Sequence, residues 1–302
     1  KLALGSLAVL PLSAFAAGLV SAGTLDDVYV AAWDATGEVV SARQMYGPGN
    51  AFVAGLAPTT DGGAILSGAF VETLLLGEAE PHETTLTSAG GSDVFVARIG
   101  PNLDVLWARR AGGAGDDWTD AVASLPGDGC AIAGSFPDGM TFDGALPAAA
   151  SLPSSAATTL FVARYTSSGE VGWARAAASA PMLRNAGLGA LPDGRVGLVT
   201  TMFEATVVDP QGLAATVTPA DGSEGLFLQF AADGTFAWGR TMSGPGTTQP
   251  HRVLGGTDGS WIVAATADDR MTWNPGGPDA TTAEAVGTST DGQLVFLVPN
   301  TP

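Results

Sequence analysis

The stretch from Asp93 to Phe136 reads DVFVARIGPNLDVLWARRAGGAGDDWTDAVASLPGDGCAIAGSF, and its skeleton returns when the chain is shifted by 65 to 69 residues in either direction. Phe95 answers to Tyr29, Phe161, Phe227 and Phe296. Trp107 answers to Trp173 and Trp238, and to Ser41 in the first copy. The arginine two residues on keeps step as Arg43, Arg109, Arg175 and Arg240. An Asp-Gly turn recurs with its glycine at Gly62, Gly129, Gly194 and Gly259. Internal repetition at this period is the signature of an array whose units share one continuous core.

Within the unit, Val94, Val96 and Arg98 alternate with Phe95, Ala97 and Ile99, the period-two pattern of a strand. A turn at Pro101-Asn102 leads to a second strand over Val105 to Arg109. A glycine-rich loop, Gly112 to Asp117, crosses to a third strand around Ala121 to Leu125, and the Asp128-Gly129 turn returns the chain as Cys130 to Phe136. Each unit is therefore two hairpins. The variable stretches that follow, 71–88, 137–156, 204–219 and 268–282, read as outer-edge strands and loops, where copies differ without disturbing the shared core.

The 302 residues divide into a partial repeat at 1–25, full repeats at 26–92, 93–157, 158–224 and 225–293, and a partial repeat at 294–302, all in a single domain. Residues 1–23 have the lysine, apolar run and small-residue ending of a secretory signal. LVSAGTLDDVYVA at Leu19 to Ala31 nevertheless aligns with LTSAGGSDVFVA at Leu86 to Ala97, which favours a repeat tail and a chain that is part of something longer.

A formal charge of -18, with Lys1 the only lysine, excludes a nucleic-acid partner. No helical periodicity is sustained anywhere, and beyond the N-terminal stretch no apolar segment approaches membrane-spanning length. The single cysteine, Cys130, excludes a disulfide framework and sits in a strand pattern as a small buried hydrophobe.

The combination of aromatic strand, Gly-containing turn, WAR triplet, Gly-Gly-x-Gly-Asp-Asp loop and Asp-Gly hairpin ending in Gly-Ser-Phe resembles the bacterial seven-bladed β-propeller repeat family, often called SBBP repeats. The copy from 225 departs from it, keeping AADGTFAWGR but losing the acidic loop. The resemblance implies an all-β propeller of four-stranded blades in exported or surface proteins of bacteria, and no particular activity. Physics points the same way. A unit of about 66 residues with two apolar faces must stack on its neighbours in a ring or superhelix. The tryptophan column would fill the gap between blades, each ring worth roughly 2 to 3 kcal/mol. Four full units and two partial ones give either a fifth blade completed by both termini or an arc of a larger propeller.

Candidate chemistry is sparse. Asp116, Asp117 and Asp120 offer hard oxygen ligands to calcium, but the matching positions in the first copy are Gly49-Asn50, which favours a solvated turn that caps strand ends. His82 and His251 stand in loops at inequivalent positions, with no partner at metal-site spacing. The four arginines of the WAR column either line an axial channel or bind carboxylates of the next blade, and the structural salt bridge is preferred. AAWDATGEVV at Ala31 to Val40 looks like the turn of quinoprotein propellers, but Ser41 stands where those enzymes place a tryptophan. No nucleophile elbow, phosphate loop or metalloprotease helix occurs. The expectation is a non-catalytic, exported scaffold or recognition module for a protein or saccharide ligand, with no cofactor. The alternatives are a carboxylate-dependent hydrolase or lyase, a quinoprotein-like enzyme, and a passive spacer.

Overall fold

The computed structural model describes residues 2–3, 26–143, 151–153, 158–180, 183–208, 212, 214–219, 223–268, 270–273, 281–284 and 292–298, and within them the chain is all β, in five antiparallel sheets. The first sheet holds β1 (Leu2–Ala3), β2 (Val28–Trp33) and β3 (Val39–Met45). The chain then crosses to begin the second sheet with β4 (Ala51–Pro58) and β5 (Ala64–Leu76), continued by β6 (Thr84–Ile99) and β7 (Val105–Gly112). It crosses again to β8 (Trp118–Ser124) and β9 (Cys130–Phe136), which open the third sheet. Here it doubles back. The short hairpin β10 (Met140–Phe142) and β11 (Ser151–Leu152) pairs with β7, on the outer edge of the second sheet.

The same lacing repeats. β12 (Thr158–Tyr165) and β13 (Val171–Ala180) extend the third sheet; β14 (Leu183–Ala190) and β15 (Val196–Met202) open the fourth; β16 (Thr206–Val208) and β17 (Ala215–Val217) return to β13. β18 (Glu224–Phe230) and β19 (Phe236–Ser243) extend the fourth sheet, β20 (Thr248–Gly255) and β21 (Trp261–Ala267) open the fifth, and β22 (Arg270–Trp273) with β23 (Thr281–Glu284) returns to β19 before β24 (Gly292–Val298) pairs with β21. In the first unit the returning hairpin is fused into longer strands. β5 bends at Glu72, whose φ of 63° accompanies a register shift, and its end reaches β3 through a Tyr46–Leu75 bridge.

Two expectations change as a result. The three central sheets have six strands each, not four, because the variable stretches come back as hairpins on the sheet before. Each sequence unit also straddles two sheets: β6 and β7 lie in the second, and β8 and β9 in the third. Among the described residues the first and fifth sheets are separate, with three strands each.

Successive sheets stack face to face, and four apolar clusters fill the four joints. The second joint, for example, buries Ile65, Val96 and Trp107 against Ile132, Phe136 and Phe161. The central strands β15 and β18 are buried along their whole length, whereas β21 of the fifth sheet alternates buried with half-exposed residues. The innermost strands β4, β8, β14 and β20 pack beside one another. All hairpin turns between long strands point to one rim, and the crossing loops before the innermost strands lie on the other.

Phe95 and Phe161 are fully buried, facing Gly68 and Gly134 across the sheet. Phe227 breaks this column. It pairs with Arg240, as Val96 does with Arg109 and Val162 with Arg175, so it sits one residue out of register. A one-residue slip turns a side chain to the opposite face. Phe227 therefore enters the fourth joint, 5.1 Å from the Trp238 ring and 5.6 Å from Trp261.

Candidate functional site

The repeated Trp and Arg residues build the joints between sheets. Trp107 stacks on Tyr165 of the next sheet at 6.2 Å, and its indole N–H donates to the Ser167 carbonyl at 2.8 Å. Arg98 donates to that same oxygen at 3.1 Å, and Arg109 Nε donates to the Gly169 carbonyl at 2.9 Å. The third joint repeats this clamp: Trp173 and Arg164 converge on the Ala232 carbonyl at 3.0 and 2.7 Å, and Arg175 meets the Gly234 carbonyl at 3.1 Å. Arg109 and Arg175 thus bind turn carbonyls rather than the carboxylates expected of them. Arg43 meets a carboxylate, Glu80, at 3.0 Å, while Arg240 lies 5.2 Å over the Trp238 ring. Arg98 and Arg164, which complete the clamp, were not singled out in the sequence although they too stand 66 residues apart.

The acceptor turns need a left-handed residue. Gly37, Gly169 and Gly234 supply it with φ of 92°, 82° and 84°, but the second unit uses Leu103 at 67°. A Cβ at Gly169 would lie 2.7 Å from Trp107, and one at Gly234 would lie 2.6 Å from Trp173. The first joint carries Ser41 in the tryptophan position, and there the turn residue is the buried Leu103, packed with Val28, Val30 and Met45. Ser41 and Leu103 thus stand at the positions that Trp107 and Gly169 occupy in the second joint.

Of the Asp-Gly turns, Gly62, Gly194 and Gly259 have positive φ, as the turn requires. Gly129 does not. Gly127 and Asp128 are the left-handed residues there, and Asp128 accepts from the Thr60 backbone N–H at 2.8 Å and from Arg98 at 3.3 Å. A carboxylate in the glycine's place ties two neighbouring turns together. Hydrogen bonds from Thr60 hold its pKa below the usual range.

The proposed calcium ligands do not converge. Asp116 accepts from the Ser92 backbone N–H, Asp117 accepts from the Gly113 N–H, and Asp120 stands further along β8. Among the described residues no group of three His, Cys, Asp or Glu is placed to hold a metal ion. His82 lies exposed in a loop, and His251 Nε2 is 3.0 Å from Thr266 Oγ1. Burial pushes the Cys130 thiol up to about 12, so it stays protonated in its strand.

Asp117 is fully buried with one oxygen unpaired. Burial raises its pKa to about 6; the Gly113 N–H opposes the shift, and Asp93, Asp116 and Asp138 reinforce it. Its folded pKa lies above the unfolded value of about 3.9. The folded state therefore holds this proton more tightly, and stability falls as pH rises from about 4 through 6. Asp117→Asn is expected to stabilise the protein by about 1 to 2 kcal/mol at neutral pH after solvent screening, and to give no gain near pH 4. Urea titrations of both proteins at the two pH values measure this.

The innermost strands carry most of the exposed large apolar side chains among the described residues. Each has a β-bulge at the equivalent place, around Ala54, Asp120, Ala186 and His251. Bulges re-aim side chains and concentrate next to binding sites. Four large apolar side chains are exposed among the described residues, and three of them, Phe52, Trp118 and Leu254, belong to these strands. Phe52 and Trp118 are 40% and 43% exposed, occupy equivalent positions on β4 and β8, and lie 6.3 Å apart at the crossing-loop rim. Their spacing of 66 residues was visible in the sequence, but neither belongs to the columns that mark the repeat.

No family model matches the chain, and no curated protein matches it. Among solved structures, a protein of unknown function from Bacteroides caccae aligns at 11% identity over 87% of this chain and 70% of that one, with a TM-score of 0.43. Regucalcin, a calcium-binding protein from Agrobacterium tumefaciens, aligns at 12% identity over 72% of this chain and 82% of that one, with a TM-score of 0.20. Among the described residues no helix is long and apolar enough to cross a membrane.

Proposed function

We propose that the chain is an exported β-propeller or propeller arc of the kind the SBBP resemblance implies, acting without catalysis as a recognition module for a protein or saccharide ligand. The observation that carries this reading is the placement of Phe52 and Trp118, two exposed rings 6.3 Å apart at the crossing-loop rim. Exposed large apolar side chains in contact with one another mark a contact surface, whereas scattered ones mean little. The bulges aligned on the four innermost strands support the same surface.

Neither the buried acids nor the turn acids favour the hydrolase alternative. Asp117 is buried, and Asp93 is buried against Arg110 at 2.7 Å, so neither presents an accessible carboxylate. The turn aspartates Asp34, Asp61, Asp193, Asp233 and Asp258 are each engaged by hydrogen bonds within their own turns.

Arrays of glycans and peptides probed with the wild-type chain and with the Phe52→Ala/Trp118→Ala double variant test the reading. The expected outcome is a ligand whose affinity falls at least about tenfold in the variant while its melting temperature stays close to that of the wild type. A wild-type chain that binds nothing would favour the passive spacer, and a ligand indifferent to both substitutions would place recognition elsewhere.

A further inference from the structure

The charge around the Phe52–Trp118 pair narrows the ligand, on the reading that this rim is a recognition surface. Asp26 lies beside Phe52, because the Ala51 N–H donates to the Asp26 carbonyl at 2.8 Å. Asp116 and Asp117 immediately precede Trp118, and Asp120 follows it on the bulge. Asp138 belongs to the same corner, since a Cβ at Gly115 would meet its carboxylate at 2.9 Å. Asp26, Asp116, Asp120 and Asp138 are exposed, whereas Asp117 is buried. Arg110, at this rim, is already engaged by Asp93 at 2.7 Å and Asp143 at 3.2 Å. Two accessible aromatic rings are thus bordered by exposed carboxylates on a chain of net charge -18.

An aromatic face attracts a cation through its quadrupole, and nearby carboxylates add to that attraction. The chain uses this contact internally, where the Arg240 guanidinium lies 5.2 Å over Trp238. Anionic partners are disfavoured by the same charges. A neutral sugar would stack on the rings but would gain nothing from the net charge around them.

We infer that the crossing-loop rim receives an arginine- or lysine-bearing segment of a partner protein, with a cationic head on the Phe52–Trp118 pair and its neighbours facing Asp26, Asp116 and Asp120. Arginine is the better fit, since its planar, weakly hydrated head both stacks on rings and donates to carboxylates.

Calorimetric titration of the full chain with a short capped peptide alternating arginine and glycine tests this, with the glutamate counterpart and a neutral oligosaccharide as the other arms. The arginine peptide should bind and weaken as salt rises, and the glutamate peptide should not bind. Trp118→Ala should weaken the arginine peptide about five- to tenfold. Trp118→Leu, which keeps apolar bulk without the ring, should weaken it similarly, and Asp120→Asn should do so by about threefold. Circular dichroism confirms that each variant is folded. An arginine peptide that fails to bind, or whose affinity ignores both Trp118 variants, overturns the inference. If the oligosaccharide instead binds in a Trp118-dependent way, the cationic partner is wrong while the recognition surface stands. If no probe binds through Trp118, both fall.

Discussion

Trp173→Ala should destabilise the protein by about 3 to 5 kcal/mol, the range for emptying a buried aromatic site. The ring is 6% exposed, packs against Phe230 at 6.4 Å and donates to the Ala232 carbonyl. Its loss opens a cavity in the third joint and removes one of the two donors on that oxygen, leaving Arg164 alone there. The joint belongs to a stack in which each sheet is covered by its neighbours, so damage at one joint should propagate as a loss of cooperativity. Denaturant titration followed by tryptophan fluorescence would show both a lower midpoint and a broader transition. A change below about 1 kcal/mol would mean that the Trp column is not what holds the sheets together.

The second large effect is a rescue. Gly169→Leu alone should cost about 3 kcal/mol or more, since it puts a branched side chain into a left-handed position and drives it into Trp107. Trp107→Ser alone should cost about 3 to 5 kcal/mol through the cavity it leaves. The double variant puts at the second joint the two residues that stand at the equivalent positions of the first, Ser41 and Leu103. Independent sites would add; these two should fall short of their sum by about 2 kcal/mol. The cycle is read from midpoints of urea unfolding for the four proteins. Strict additivity would show that Leu103 and Ser41 are unrelated departures from the repeat.

That exchange also shows where sequence reading stops. The hairpins, their period and the absence of helix were legible because alternation and glycine turns are local signals. The outer strands were legible as outer-edge strands but not as fifth and sixth members of the preceding sheet, because β10 and β11 are three and two residues long and carry no periodicity of their own. Their pairing with the preceding sheet is a long-range choice made by the exposed edge of β7. Phe227 was placed in the wrong column because spacings of 65 and 66 differ by one residue, and in a strand one residue is a change of face. Asp128, not Gly129, takes the left-handed position for a similar reason: the Asp-Gly dipeptide shifts by one in that turn, and aspartate tolerates the left-handed region. Phe52 and Trp118 were missed because a shared position in only two units does not register as a repeat. Exposure on an innermost strand, not spacing, sets them apart.

The lacing of each unit across two sheets is tested most directly by joining β19 to β22, which belong to different hairpins of one unit. Ser243 and Thr272 are cross-strand partners, both half-exposed. The double variant Ser243→Cys/Thr272→Cys places the two thiols within disulfide reach, given the spacing of paired strands. Mild oxidation followed by peptide mapping should recover the cross-link between these two introduced thiols in quantitative yield, from a protein that melts no lower than the wild type. Thiols that remain free under the same conditions, in a protein that is folded by circular dichroism, would place β22 on its own sheet beside β21 and contradict the laced architecture.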